Sequence, residues 1–536
     1  MVILNFKNVS STLVHSTIAC SIFIKMTRPL FTILSIIFCL QLNVFAQDSL
    51  FHYEVEAQTT ATSNGVVPFW MRSNQYGSIP NAGVSGSFLG RASKAYDTTR
   101  SNTWYGKKKL IDWGAGFEGR TNLGKESNLA LIEGYGKMRV AIFELKAGRT
   151  KDVMGLNGDS SLTSGNFAIS GNALGIPKIE ISIPEYYTLP LWDGLIAIKG
   201  NFSHGWAGKY TVQTVELEEV GTLEDETINT KTYIHQKSLY GRIGRDSWKL
   251  KLYGGFSHQA MWGNEKDVYG ADFDLSSFET FLYVITGKPY ANGIVLSSKI
   301  GNQLGSIDVG AEYEFKNSNL LVYRQNFYDV GALSKLANIR DGLNGIRLEN
   351  KRPRLQNENV FQWKTILFEF LYTKNQAGEL WSKITKSGDE NYYNSYYYKE
   401  GWSYNGQGLG TPFITTVSES KKGQIKNPNE YFINNRLYSF HLGFSGHLKD
   451  WNFISKVSYS RNFGTYNTSP IGGSIGEIRN PPIYGLFETV NQFSGQLELQ
   501  KEFNKKLTMG MVVALDQGRL LDNSIGLQLK LVRSFN

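Results

Sequence analysis

The chain has 536 residues, of which 55 are glycine, 29 tyrosine and 31 phenylalanine, and its formal charge is +9. Lys7, Lys25 and Arg28 near the N-terminus supply three of those charges, and no basic helix or aromatic-basic stripe accompanies the rest, so nucleic acid is excluded as a partner. Both cysteines, Cys20 and Cys39, fall in the first 46 residues, so neither a disulfide framework nor a thiolate metal site is available beyond them.

Lys25 and Arg28 flank the apolar run Leu30–Leu40, and Val44-Phe45-Ala46 reads as an A-x-A-like cleavage site. Residues 1–46 are expected to be an export signal whose start is Met26. Phe38 precedes Cys39 where a lipoprotein box needs a small residue. Beyond the leader no run of ~18 apolar residues exists, so no transmembrane helix is expected. Residues 47–536 carry no linker and are read as one domain.

Residues 48–112 alternate poorly and hold Gly65, Pro68, Gly77 and Pro80; part of this segment is expected to fold into a lumen or to sit at its periplasmic mouth. Further on, polar and apolar residues alternate with period two. Such segments are Trp248–Phe256, Gly305–Phe315, Leu437–Tyr459, Asn491–Gln500, Leu507–Leu515 and Ser524–Phe535. In the clearest hairpin Tyr438, Phe440, Leu442 and Phe444 alternate with Ser439, His441, Gly443 and Ser445. Lys449-Asp450 then turns the chain into Trp451, Phe453, Val457 and Tyr459. Strand side chains point to opposite faces in turn, so each strand has one apolar and one polar face. A strand of about ten residues crosses a bilayer at a tilt, with aromatics at its ends in the interfaces. The expected fold is all-β: a transmembrane antiparallel barrel of about 18 strands (16–18) with long extracellular loops. Short turns are expected at Arg245-Asp246, Lys316–Asn319, Lys449-Asp450 and Asn504–Lys506. Long loops are expected near Lys209–His235, Gln259–Thr280, Asp329–Asn359, Lys374–Asn435 and Arg461–Val490. Gly301–Gly305 also reads as a short turn, which would put two short turns at opposite ends of one strand. The last strand ends on Phe535 and resembles the terminal strand that outer-membrane barrels present to the barrel assembly machinery.

Two stretches are more specific. The first is Pro68-Phe69-Trp70-Met71-Arg72-Ser73-Asn74-Gln75-Tyr76-Gly77. The second runs from Gly148-Arg149 through Gly155-Leu156-Asn157 and Ser160–Ala173 to Pro177-Lys178-Ile179. They resemble the Wzi-type capsule-assembly proteins, in the form found in Bacteroidetes. The resemblance is strongest over about residues 50–210. It implies an 18-stranded outer-membrane barrel that holds exported capsular polysaccharide at the cell surface.

The residues themselves suggest three candidate surfaces. Asn157, Ser160, Ser161, Ser164, Asn166, Ser170 and Asn172 crowd hydroxyls and amides into one nearly uncharged segment. They either knit an inward loop to the wall or form a polar track along the lumen. Tyr396, Tyr397, Tyr398 and Trp402 lie in an aromatic stretch that offers flat faces to sugar rings, or packs on itself. The stretch Leu333–Leu355 is basic. Within it, Arg352 and Arg354 suit lipopolysaccharide phosphates or an acidic glycan equally. The acidic run between Glu216 and Glu226 reads as a solvated loop. Gly406–Gly410 lacks the spacing of a phosphate loop and reads as a flexible outer turn. His441 and His447 are too far apart on one strand to share a metal, and no nucleophile elbow appears. Catalytic residues, a metal and cofactors are therefore not expected. The function expected from this sequence is non-enzymatic binding of capsular or extracellular polysaccharide, in contact with outer-membrane lipid and lipopolysaccharide. The alternative is an outer-membrane diffusion channel or substrate-specific porin.

Overall fold

The computed structural model describes residues 50–97, 110–156, 161–214, 227–292, 295–329, 332–354, 360–378, 390–470, 474–475, 478–479, 482–504 and 506–535. The expected export signal and the acidic run at Glu216–Glu226 lie outside them.

Eighteen strands form one antiparallel sheet that closes on itself. They are β1 (Phe51–Thr62), β2 (Ser85–Lys94), β3 (Ile111–Gly124), β4 (Asn128–Val140), β5 (Phe143–Arg149) and β6 (Lys178–Thr188). Next come β7 (Ile196–Gln213), β8 (Thr227–Ile243), β9 (Leu250–Trp262), β10 (Asn302–Glu314), β11 (Ser318–Tyr328) and β12 (Gly342–Asn350). The series ends with β13 (Gln362–Tyr372), β14 (Leu437–Leu448), β15 (Trp451–Asn462), β16 (Val490–Asn504), β17 (Leu507–Gly518) and β18 (Ser524–Ser534). Each strand pairs with its neighbours in sequence. The seam is β1 against β18, in register from Glu54↔Ser534 to Thr62↔Gly526. Closure leaves no edge strand with unpaired amides, which lipid could not solvate.

An even strand count places both ends of the barrel chain at one rim. That rim carries the short connections 141–142, 244–249, 315–317, 449–450 and 505–506 and is the periplasmic one. The other rim carries the long connections 63–84, 150–177, 263–301, 373–436 and 463–489. The expected turn at Gly301–Gly305 is not a turn. Asn302 already pairs with Met261 at the start of β10, so 301 ends a long outer loop and the sidedness is consistent.

Period-two alternation sets the two faces. Phe440 on the outer face of β14 is 45% exposed, whereas its neighbours Ser439 and His441 are 1% exposed in the lumen. Trp113, Phe143, Trp248, Tyr313 and Trp451 ring the outer wall near the periplasmic rim. Near the other rim Phe370 and Phe440 lie 5.0 Å apart on adjacent strands. These are the two interfacial aromatic belts.

β12 is a correction. The stretch Leu333–Leu355 reads as one basic loop, but Gly342–Asn350 is a wall strand paired with β11 and β13. Leu343 is buried inside while Ile346 faces outward, so both faces carry apolar residues and alternation is lost. Lys335 and Arg340 sit at the outer rim; Arg352 and Arg354 follow the strand at the periplasmic rim. Nine residues of strand span about 30 Å, so these two groups cannot act on one ligand.

A closed ladder resists detergent until heated. Unboiled protein is expected to migrate differently from boiled protein on a detergent gel; one band at both temperatures would contradict the barrel.

Candidate functional site

A barrel of eighteen strands is too wide for wall side chains to fill. The described parts of three outer connections, 63–84, 150–177 and 373–436, turn inward and pack together. Their apolar residues Phe69, Trp70, Leu162, Phe167, Tyr392, Tyr393, Trp402 and Phe413 share one buried cluster. Phe167 stacks on Phe327 of β11 at 4.2 Å and meets Tyr392 edge-on at 5.0 Å.

Loop backbone taken out of water must find partners, and the lumen wall supplies them. Connection 150–177 leaves β5 and reaches the far side of the barrel. There the Leu156 amide donates to Asp308 on β10 (2.9 Å), and the Phe167 amide donates to Gln325 on β11 (2.9 Å). The Ser164 amide and Thr163 hydroxyl donate to the two oxygens of Glu369 on β13 (2.6 and 2.8 Å). His441 joins two of the loops. Its Nε2 lies 2.6 Å from the Leu162 carbonyl, which only accepts, so Nε2 carries the proton and Nδ1 accepts from Ser458 (2.8 Å). Ser458 in turn accepts from Trp70 Nε1 (3.0 Å). The buried ion pair between Arg72 and Glu419 ties connection 63–84 to 373–436.

The polar motif sits inside this packing. Ser164, Asn166, Ser170 and Asn172 are buried, and Ser161 is exposed; Asn157 and Ser160 lie outside the described residues. Ser170 donates to the Gly410 carbonyl (2.6 Å), Asn172 donates to Gly408 (3.1 Å), and the Asn74 amide donates to Asn172 (3.1 Å). Ser170 and Asn172 are thus spent on the neighbouring connections, while Ser164 Oγ and Asn166 Nδ2 are buried without a hydrogen-bond partner among the described residues. Gly410 is not part of a flexible outer turn. A Cβ there would stand 1.8 Å from the Phe167 carbonyl and 1.9 Å from the Tyr393 hydroxyl, so only glycine fits.

The aromatic stretch is divided by burial. Trp402 is fully buried and donates to Ala168 (2.8 Å), and buried Tyr398 donates to the Met261 carbonyl and Asn264 (3.1 and 3.0 Å). Both are parts of the plug and cannot face a polysaccharide. Tyr396 is 64% exposed, and Tyr397 is partly buried against Tyr269. At the periplasmic rim Arg354 donates to the Lys449 carbonyl (2.6 Å), and the Arg352 amide donates to Asn350 (3.0 Å). They fasten turns and lie away from the cell surface. Asp341, at the outer end of β12, anchors the plug by accepting from Asn375 (2.9 Å), Gln376 (2.6 Å) and the Tyr392 hydroxyl (2.8 Å). Burial pushes its carboxyl up to about 7 against the pull of those donors.

Below the plug lies a chamber of about 390 Å³, roofed by Gln75, Tyr76 and Ser78. Its walls carry Glu54, Glu56, Arg91, Glu118, Arg120, Lys151 and Lys530. Arg91 pairs with Glu54, with Glu56 (2.7 Å) and with Glu118 (3.2 Å), and Lys151 also pairs with Glu118. The charged wall continues through Lys137–Glu144 (3.5 Å), Lys146–Glu180 (3.2 Å) and Lys178–Asp152 (2.8 Å). Arg91 and Glu54 are half-buried at the chamber wall. Sequence reading missed these groups. The signal was present: charges recur at inward positions on several successive strands, Glu54, Arg91, Glu118, Lys137 and Glu144 among them. A single strand does not reveal the pattern.

No family model matches the chain, and no curated protein matches it. Several solved outer-membrane barrels are similar to it. OccAB2 of Acinetobacter baumannii is 11% identical with a TM-score of 0.41, covering 90% of this chain and 97% of that one. OccK2 (OpdF) of Pseudomonas aeruginosa is 8% identical with a TM-score of 0.40, covering 90% and 97%. The outer membrane protein OprD of Pseudomonas aeruginosa is 9% identical with a TM-score of 0.40, covering 90% and 93%. The likeness is one of barrel architecture. The expectation of a capsular-polysaccharide holder is corrected here. Within this chain the aromatic and basic groups that were to hold the glycan are split between the plug and the opposite rim. The chain is an outer-membrane β-barrel.

Proposed function

We infer that this barrel is a channel for small polar solutes, narrowed by its three inward connections. The observation that carries the reading is the chamber beneath the plug, whose wall sets carboxylates of β1 and β3 against guanidinium and ammonium groups of β2, β3 and β18. Charges facing each other across a low-dielectric wall act on a solute more strongly than the same charges in bulk water. Such a surface selects by charge and hydrogen bonding. The role is passage: the Ser458 hydroxyl that donates to His441 is 2% exposed and already accepts from Trp70, so this pair is a fastening inside the plug that no substrate reaches. Shared descent with the Wzi-type proteins, on the motifs at 68–77 and 148–179, is a separate proposal about ancestry with no capsule role attached; it is lost if no series of intermediate sequences joins the two.

Planar-bilayer recording tests the channel. Wild type is expected to give small discrete conductance steps. Trp402→Ala removes a plug ring whose loss from a core costs about 3–5 kcal/mol, and larger steps are expected from it. Silence from both proteins, with the heat-shifted gel band intact, would end the channel reading.

Arg91 holds three carboxylates, and Arg91→Glu turns the described chamber lining from four basic and three acidic groups into three basic and four acidic ones, leaving the carboxylates of β1 and β3 without their central partner. The reversal potential in a salt gradient is expected to move toward cation selectivity. An unmoved potential would place the conduction path elsewhere.

Asp341 sets a pH dependence. Its folded-state value of about 7 lies above the ordinary 3.8, so the plug holds the acid protonated. Docking is strongest below the ordinary value and weakens as pH rises through 7. Conductance is expected to increase between about pH 5 and about pH 8.5, and Asp341→Asn is expected to remove most of that step. A flat wild-type profile would contradict the assignment.

A further inference from the structure

A second cavity, of about 380 Å³, opens at the outer rim between connections 263–301 and 373–436, apart from the charged chamber. Three acids line it: Glu265, Asp329 and Glu390. Lys299 is the one basic residue among its described lining residues, and it lies toward the Tyr328 ring at 5.9 Å. Glu265 opens the short helix Glu265–Tyr269 and is 6% exposed. One of its oxygens accepts from the Gly263 amide (2.9 Å), while Oε1 is buried without a hydrogen-bond partner among the described residues. Asp329 and Glu390 are equally buried; Asn338 donates to one Glu390 oxygen (3.2 Å). Burial pushes the Glu265 carboxyl up to about 7, and Asp329 is raised by burial and by Glu390 beside it.

Rings complete the enclosure. Tyr397 stands edge-on to Tyr269 at 5.5 Å and to Tyr396 at 5.2 Å, making an aromatic corner. The Tyr396 face already takes a cation, with Lys399 at 5.7 Å. Glu265 and Asp329 have no ion-pair partner among the described residues; carboxylates desolvated in that way cost free energy that a bound cation recovers, and tyrosine faces add cation–π attraction. A bound cation draws the raised carboxyls of Glu265 and Asp329 into their charged form, whereas an anion finds only Lys299 as a basic group among the described lining residues. A bare metal ion does not suit the site, because among the described residues no group of three metal-ligating side chains converges. We propose that this rim cavity, built around the unpartnered Glu265 oxygen with Asp329 and the Tyr269–Tyr397–Tyr396 corner, binds a small organic cation bearing an ammonium or guanidinium group. The site stands whether or not the lumen conducts.

Titration calorimetry on the full chain, folded in detergent, tests the site with agmatine as the cation, glucose as the neutral polyol and gluconate as the anion. Saturable one-to-one binding of agmatine is expected, with glucose and gluconate weak or silent. Glu265→Gln keeps the side-chain shape and is expected to weaken agmatine by about tenfold or more, as is Tyr397→Ala. Asp329→Asn is read beside them, so a folding failure in one variant leaves the others to decide. Absence of agmatine binding overturns the proposal. So does glucose binding more tightly than agmatine, or unchanged agmatine affinity in every variant that keeps the heat-shifted band. Binding is read without a membrane, so this result and the conductance result fail independently.

Discussion

A backbone amide in hydrocarbon has no water to donate to, and every other feature of this molecule follows from meeting that condition with strands. The β1–β18 seam removes the last two edges, and the ladder then satisfies the wall from within. Once closed at eighteen strands, the wall encloses more space than its own side chains fill. The excess width admits the three inward connections, and the inner half beneath them holds the charged chamber.

The plug shows how irregular backbone is kept away from water. Connection 150–177 cannot form a ladder, so its amides dock one by one on wall side chains: Asp308, Gln325, Glu369 and, through a carbonyl, His441. Those side chains face inward for the same reason that Phe440 and Leu442 face outward. The strand period sorts polar groups to the lumen, and the lumen then becomes a receptor for loop backbone. A hydroxyl-rich motif suits such a place, because Ser, Thr and Asn both donate and accept and leave few orphans.

Charge is distributed by the same sorting. Arg91, Glu54, Glu56 and Glu118 are tolerable in a membrane-spanning wall because they face the lumen and pair there. At the outer rim the pattern differs. Among the described residues, Glu265 and Asp329 are buried without a basic partner, beside tyrosines rather than arginines. One surface is balanced internally and the other is not. That difference is the ground for the separate roles proposed for the two.

The sequence by itself determined the architecture, because alternation is local; the sidedness became consistent only in the structure, where Asn302 pairs with Met261 and Gly301–Gly305 is no turn. Tyr438 to Tyr459 states a two-faced hairpin, and Lys449-Asp450 states a short turn, without reference to anything distant. Where alternation failed, reading failed: β12, with Leu343 inside and Ile346 outside, passed for a basic loop. Gly301–Gly305 passed for a turn because glycine marks close approach as readily as reversal. The destinations of side chains outside strands were not legible. Tyr396 and Trp402 are six residues apart in one tyrosine-rich stretch, yet one is open to solvent and the other is sealed against Ala168. Arg340 and Arg352 share a basic stretch but sit at opposite rims. Which loop turns inward, which aromatic it buries and which acid is left unpaired depend on contacts between residues hundreds of positions apart. The enclosed volume is set by all eighteen strands together, so only the tertiary structure decided them.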